Sequence, residues 1–191
     1  MVQDWRKRAQ SPSDVVAHVR SGERVFVHGA SATPTPLLDA LNARRDLEQV
    51  HLYHLHLSGP TSVADPQHGR GVFSNSLFTG PGQRAPIDRG EAEFIPVFLS
   101  DIPRLFTSRR IPLDVALLQL SPPDSHGNCT LGVSVDCAKA ASESAPILLA
   151  EINERMPRTH GNTVVPLSRV KAFTVTDRPL YAAVPEPPTP V

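Results

Sequence analysis

Residues 113–120 (LDVALLQL) constrain this chain more than any other stretch. The run is apolar at most positions and stops abruptly in Ser121-Pro122-Pro123-Asp124-Ser125-His126-Gly127. An apolar run of this length suits a buried strand, and the turn formers after it suit a loop at that strand's carboxyl end. In open α/β sheets ligands bind at that end. The loop over residues 121–132 is therefore the first candidate for function.

The rest of the chain alternates strand-like and helix-like stretches. Ser11 is placed to cap a helix, with Pro12 at its first position and Asp14 where a capping box usually has Glu or Gln. That helix carries Val15, Val16 and Val19 and stops near Ser21-Gly22. Residues 24–28 (RVFVH) read as a strand and residues 29–33 (GASAT) as a small-residue loop. Pro34-Thr35-Pro36 then opens a helix with Leu37, Leu38 and Leu41, completing one strand–loop–helix unit. Residues 50–57 (VHLYHLHL) alternate as a strand, with His54 and His56 on one face and His51 on the other. Residues 58–70 read as a loop, 71–78 begin another strand, and a short helix lies across 83–89 with Arg84 and Arg89 solvated. In the strand-like residues 93–99 (EFIPVFL), Pro96 implies an edge, a bulge or an early end. Ser100-Asp101 caps a helix with Ile102, Leu105 and Phe106 that ends near Arg109-Arg110. Asp136 starts a helix (DCAKAASESA), and residues 147–153 and 170–176 are further strands.

This alternation predicts an α/β domain with a mainly parallel sheet and helices on both faces. The domain is expected over residues 1–180. A Pro-rich linker over 181–191 follows, since five of the 20 prolines lie at or after Pro179. Such an ending predicts an amino-terminal domain whose partner domain is missing.

Charge excludes some functions. Lys plus Arg and Asp plus Glu both number 19, and no basic block stands out. That argues against a nucleic-acid surface or an acidic-membrane anchor. There is no apolar run long enough for a membrane span. Residues 1–10 (MVQDWRKRAQ) lack the apolar core of a signal peptide, and Asp4 is out of place in a transit peptide, so the cytoplasm is expected. Cys129 and Cys137 are then expected as free, packed thiols.

Asp124, Ser125 and His126 lie side by side and invite a nucleophile reading. It fails, because triad members meet in space rather than in sequence and no G-x-S-x-G elbow is present. His126 precedes Gly127, which permits a sharp turn. It is a candidate to hydrogen-bond a carboxylate or carbonyl, with a structural turn as the alternative. A second punctuated loop, residues 153–161 (NERMPRTHG), should lie on the same rim and complete a cleft wall. For Arg158 an anionic ligand and a solvated position both stay open. Glu151 and Glu154 have the chemistry of nucleophiles, but nothing local activates either, and a structural role is expected. Residues 29–33 either line a ligand or simply connect strand to helix; no G-x-G-x-x-G or Walker pattern marks a nucleotide-phosphate site. The His54-x-His56 pair lacks a third metal ligand, so ordinary hydrogen-bonded histidines are expected.

Residues 119–136 (QLSPPDSHGNCTLGVSVD), followed by EINERMPRTHG, resemble the amino-terminal domain of the acetyl-CoA hydrolase/transferase family. That family includes the acetate, succinyl and 4-hydroxybutyrate CoA-transferases. EFIPVFLSDIPRLF, upstream, is similar to the family's approach to this region. The resemblance spans most of residues 11–180, and S-P-P-D-x-H-G is its most specific part. It implies a NagB/RpiA/CoA-transferase-like α/β fold and a second, related domain, with the active site between the two. It also implies ping-pong transfer of coenzyme A between carboxylic acids through a glutamyl-CoA thioester, with backbone N–H groups stabilising each oxyanion.

In the family the nucleophilic glutamate belongs to the carboxyl-terminal domain, so no catalytic residue is expected before Val191. The motif carries over a substrate-binding wall: Ser121, Pro122, Pro123, Asp124, Ser125, His126 and Gly127, with Met156, Pro157 and Gly161. Gly29 and Ser31 join it from their position alone. The implied partners are an acyl-CoA, a short carboxylic acid and the missing domain. A second copy of the chain is a further expectation, since a half-cleft exposes apolar surface. Coenzyme A enters as substrate, with no metal. The fragment alone is expected to be inactive. An acetyl-CoA hydrolase of the same fold and a non-catalytic ligand-binding domain are the competing readings.

Overall fold

The computed structural model describes residues 4–59 and 71–182. Among them are nine strands: β1 (Arg24–Val27), β2 (Val50–His54), β3 (Val72–Ser76), β4 (Ala92–Phe94), β5 (Val115–Leu120), β6 (Asn128–Thr130), β7 (Ile147–Asn153), β8 (Val164–Pro166) and β9 (Val170–Thr176). Seven form one sheet in the order β4-β3-β2-β1-β5-β7-β9, and every neighbouring pair is parallel. β6 and β8 form a separate antiparallel pair.

Strand β5 shows why the sheet sits inside. All six of its residues are buried. Because successive side chains point to opposite faces, Ala116, Leu118 and Leu120 enter one core and Val115 and Leu117 the other. β1 divides in the same way, Phe26 against Val25 and Val27. A fully buried Leu contributes roughly 1.5–3 kcal/mol, so a strand apolar on both faces is stable only with a layer on each side. On one face lie α4 (Ile102–Thr107) and α5 (Ala138–Ser144), where Phe106 meets Phe26 edge-on at 5.6 Å. On the other lie α1 (Pro12–Val16) and α2 (Thr35–Asn42), which contribute Val15, Val16, Leu37, Leu38 and Leu41. α3 (Pro81–Asp88) packs beside the edge strand β4. The expected α/β architecture, a parallel sheet with helices on both faces, is the observed one.

Local differences have local causes. Ser11 caps α1 by accepting from Asp14 N–H at 3.2 Å and donating to Asp14 Oδ2 at 2.6 Å, but the helix lasts only five residues. Val19 stays buried beyond its end. Ser100 and Asp101 do not cap α4; a 3-10 turn over Leu99–Asp101 leads into it, with no side-chain cap. β4 ends at Phe94, two residues before Pro96, and lies at the sheet's edge, as a strand proline requires. β2 stops at His54, whose ring nitrogen Nδ1 bonds the Leu55 carbonyl. His56 therefore lies past the strand. The loop after β5 also contains a strand, β6, that turn-forming residues concealed. Residues 60–70 of the expected loop and 183–191 of the expected linker lie outside the described residues.

Candidate functional site

With all seven strands parallel, their carboxyl ends share one edge. The chain runs outward from β1 through β2 and β3 to β4, then returns to place β5 on β1's other side. The reversal between β1 and β5 is the position at which open α/β sheets bind ligands. The loops after β1 and β5 flank it.

The loop after β5 is tied down from within. Ser121 is buried; its N–H donates to Thr130 O at 2.9 Å, and its hydroxyl accepts from Thr130 N–H at 2.9 Å and Thr130 Oγ1 at 3.0 Å. Asp124 Oδ1 accepts from the N–H groups of His126 and Asn128 at 2.9 and 2.8 Å. Arg158, itself exposed, donates to Asp124 Oδ2 at 2.7 Å and to Asn128 O at 2.8 Å and so braces this loop. The Asn128 N–H, assisted by the His126 N–H and Arg158, holds the Asp124 carboxyl below its usual range against the opposing effect of desolvation. Ser125 and His126 are exposed at the tip, Pro122 and Pro123 are part-exposed, and Gly127 adopts φ +82°. His126 and Gly127 line a cleft of about 630 Å³ with Trp5, Lys7, Arg8 and Leu167.

The loop after β7 joins the loop after β5. Thr159 N–H reaches Thr130 Oγ1 at 3.3 Å, and Thr159 Oγ1 donates to Gly132 O at 3.1 Å. Met156 is buried against Gly132, where a Cβ would stand 2.0 Å from its sulfur. Pro157 and Gly161 are exposed. The structure thus brings residues 121–127 together with 156–161. The loop that carries Gly29 and Ser31 is tied to the loop after β2: Ala30 N–H donates to His56 O at 2.9 Å, and Ser58 N–H to Thr33 Oγ1 at 2.9 Å.

Between the two groups runs a buried polar network. Glu151, fully buried in β7, accepts from Arg178 Nε at 2.7 Å, Arg178 Nη2 at 2.9 Å and Thr176 Oγ1 at 2.6 Å. Arg178 Nη2 also reaches Thr33 O at 2.8 Å, a carbonyl shared with Gln119 Nε2 at 3.1 Å. Asn153 Nδ2 donates to Gln119 Oε1 at 3.1 Å and to Arg178 O at 3.0 Å. Tyr181 lies under the Arg178 guanidinium, its hydroxyl 2.9 Å from Thr35 Oγ1, in the space that a Cβ on Gly59 would occupy. Burial pulls the Arg178 pKa down, but the Glu151 carboxylate outweighs it and the net shift is upward.

Residues 177–181 therefore form a strap from β9 across β7, β5 and β1 to the loop after β2. Four inter-strand steps of about 4.8 Å are close to the span of five or six extended residues at about 3.3 Å each. His28, buried at the end of β1, pins the other side, with Nε2 2.6 Å from Ser134 O and Nδ1 accepting from Gln119 N–H at 3.3 Å. Burial, only partly offset by Asp136 and these backbone bonds, lowers its pKa.

Glu151 is sealed in this network, and Glu154 is held by Arg6 at 3.0 and 3.2 Å. Burial pushes the Cys129 thiol up to about 12 and raises Cys137 as well, so both are packed, unreactive thiols. Among the described residues no three His, Cys, Asp or Glu side chains gather to hold a metal. His54 instead bonds Ser74 Oγ at 2.8 Å. No helix among them is long and apolar enough to cross a membrane. Sequence reasoning missed Gln119, Arg178 and Tyr181. Only Gln119 left a signal, as the polar residue inside the most apolar run.

A family model described as the acetyl-CoA hydrolase/transferase N-terminal domain matches residues 1–185. The chain is 36% identical over 185 residues to a succinyl-CoA:acetate/propanoyl-CoA:succinate CoA transferase of Fasciola hepatica, covering 95% of this chain and 38% of that protein. It is 33% identical over 180 residues to a 4-hydroxybutyrate coenzyme A transferase of Clostridium kluyveri, covering 92% and 41%. The chain thus spans about two-fifths of the length of these relatives. Among solved structures, a 4-hydroxybutyrate CoA-transferase from Porphyromonas gingivalis superposes with a TM-score of 0.70 at 29% identity, covering 95% of this chain and 42% of that one. RipA from Yersinia pestis superposes with a TM-score of 0.88 at 24% identity, covering 96% and 46%, a likeness of fold. Matched along nearly its whole length, the chain belongs to the acetyl-CoA hydrolase/transferase family, through that family's amino-terminal domain.

Proposed function

We propose that this chain is the amino-terminal half of a CoA-transferase moving coenzyme A between an acyl-CoA and a short carboxylic acid of the acetate or 4-hydroxybutyrate type. The observation that carries this reading is the family match over residues 1–185 together with relatives named as CoA-transferases. The nucleophilic glutamate lies outside residues 1–191, and the chain supplies a cleft wall. Two observations support that division. Both oxygens of Glu151 are occupied by Arg178 and Thr176, and Glu154 is paired with Arg6. A carboxylate nucleophile needs a free oxygen facing the thioester carbonyl. The family's description also names hydrolysis, which makes a thioesterase the second reading.

The test is a coupled assay on the full-length protein. Transfer from succinyl-CoA or acetyl-CoA to acetate, butyrate or 4-hydroxybutyrate is expected, and residues 1–191 alone should show none. Free CoA released at the same rate without an acceptor acid would instead favour the hydrolase. Trapping the intermediate with hydroxylamine or borohydride and mapping it by mass spectrometry should label a glutamate beyond Val191. A label on any glutamate within residues 1–191 overturns the proposal.

A further inference from the structure

The segment leading from β4 into α4 is apolar on both of its faces. It runs on along the sheet's edge past the end of β4, with Ile95 N–H donating to Ser76 O at 2.9 Å. Its side chains alternate: Ile95 and Val97 pack into the core beside Ile102 and Phe106 of α4, while Phe94, Pro96 and Phe98 turn outward. Phe94 is 49% exposed, Phe98 79% and Leu99 55%. Three of the six large apolar side chains that stand open among the described residues thus fall within six consecutive positions. Scattered single exposures are ordinary, but a contiguous apolar patch marks a contact surface. As with β5, a segment apolar on both sides calls for a layer on each, and the described residues supply only one here.

The patch holds both halves of a fit. Phe94, Pro96, Val97 and Asp101 border a shallow hollow of about 460 Å³, and Phe98 stands at its edge as the projecting side chain. The charged margin carries both signs. Glu93 is exposed beside Phe94, and Arg104 and Arg110 border the continuation of the groove past Asp101. None of these four has an ion pair among the described residues, whereas Arg6, Arg44, Arg89, Arg155, Arg158 and Arg178 all do. A margin of one sign would suit a partner of the opposite charge. A balanced margin, with projection and hollow in a single patch, suits the same patch turned through a two-fold axis, where each residue meets the partner of the other.

We infer that residues 93–104 form a dimer interface, on which a second copy of this chain packs face to face, each Phe98 entering the other's hollow and each Asp101 facing the other's Arg104. At about 200 Å² per phenylalanine, Phe94 and Phe98 leave roughly 250 Å² of aromatic surface in water on each copy. That is an adequate apolar centre for a standard interface of about 800 Å² per partner, whose rim is polar and charged. The interface lies at the β4 edge of the sheet, apart from the loops after β5 and β7. It stands or falls independently of the CoA-transfer reading.

Sedimentation velocity on the full-length protein gives the dimer dissociation constant for wild type, Phe98→Asp, Asp101→Arg, Arg104→Asp and the double reversal of the last two. Wild type should sediment as a dimer at about 10 μM. Phe98→Asp should weaken the dimer by about 100-fold or more, and each single reversal by about 10-fold. The double reversal should return close to wild type, because across a two-fold axis opposite charges face each other again. Wild type that stays monomeric up to about 100 μM overturns the inference. So does a dimer that Phe98→Asp leaves unchanged, or a double reversal no tighter than the single ones. Amide exchange at residues 94–99 identifies the occupant. Protection that rises with protein concentration supports a second copy. Protection equal at every concentration means that the same chain covers the patch, and it overturns the inference. Phe98 is a surface residue of the single copy, so diluted Phe98→Asp should keep the circular dichroism of wild type; if it does not fold, the charge reversals decide.

Discussion

Arg178→Met should destabilise this domain more than any surface charge change. The Glu151 side chain is 0% exposed and that of Arg178 20%, and the two carboxylate–guanidinium bonds measure 2.7 and 2.9 Å. This is a buried bidentate pair, unlike an exposed ion pair worth about 0–1 kcal/mol. Met keeps the aliphatic stem that packs beside Tyr181 but removes the charge, leaving the Glu151 carboxylate in the core with Thr176 as its remaining side-chain donor. Losing one partner of a buried pair costs about 3–5 kcal/mol. For a domain of this size, at about 2–4 °C per kcal/mol, the thermal midpoint should fall by roughly 10 °C. Most of that cost is the stranded charge, so adding Glu151→Gln to Arg178→Met should recover a good part of it. The double-mutant cycle should then return a coupling energy above about 1 kcal/mol. Scanning calorimetry with urea titration measures both quantities. A midpoint shift under about 3 °C for Arg178→Met, or strictly additive single changes, would refute the reasoning.

Three further outcomes follow from the same geometry. Burial lowers the His54 pKa to about 4 from its ordinary 6.5. The unfolded chain therefore takes up the proton first, and stability present above about pH 6.5 should drain away as pH falls towards 4, by at most about 1.4 kcal/mol per pH unit. His28 shifts in the same direction. A urea midpoint that stays flat from pH 7 to 4.5 would contradict this. The Asp124 carboxyl is also lowered, by its hydrogen bonds, so its contribution is present above the ordinary carboxylate range and lost as pH falls through its lowered folded value. Asp124→Asn should accelerate amide exchange at His126 and Asn128, the two N–H groups on Oδ1; unchanged exchange would count against the loop being held this way. Gly132→Ala meets two penalties, a φ of +65° that costs roughly 1–2 kcal/mol for a residue with a Cβ and the contact with the Met156 sulfur. Combining it with Met156→Ala should relieve the second penalty alone, visible as a smaller unfolding cost than the two single changes predict together.

The strands of the central sheet were legible because burial on both faces forces apolar residues at successive positions. LDVALLQL and ILLAEIN permit little else, and β7 and β9 fall on the residues expected of them. The short pair β6 and β8 was not legible. Asn128–Thr130 follows a turn, is three residues long and pairs with a strand more than thirty residues away, so no local pattern announces it. The rim was half legible. Pro, Gly, Ser and Asp in the loop after β5 correctly marked a tight reversal, but turn chemistry does not say which way a side chain faces. Ser121 faces inward to Thr130, and Asp124 faces Arg158 across the gap to the next loop. Arg158 and Arg178 look equivalent in sequence. They separate only in space, one bracing a surface loop and the other joining Glu151 in β7 to Thr33 after β1.

That separation bears on where a substrate can be recognised. A polar group already paired inside the chain must give up that bond before it can bind a ligand, and the exchange leaves little net gain. By that measure the loop after β5 has limited capacity, because the Ser121 hydroxyl and both Asp124 oxygens are committed. The centre of the rim is committed too, with Glu151, Gln119, Asn153 and Arg178 bonded to one another. The strap of residues 177–181 thus occupies with protein groups the crevice that an open sheet ordinarily offers to a ligand. Arg178→Met should therefore also loosen the loop of residues 29–33 through the lost bond to Thr33 O, which faster amide exchange in that loop would show.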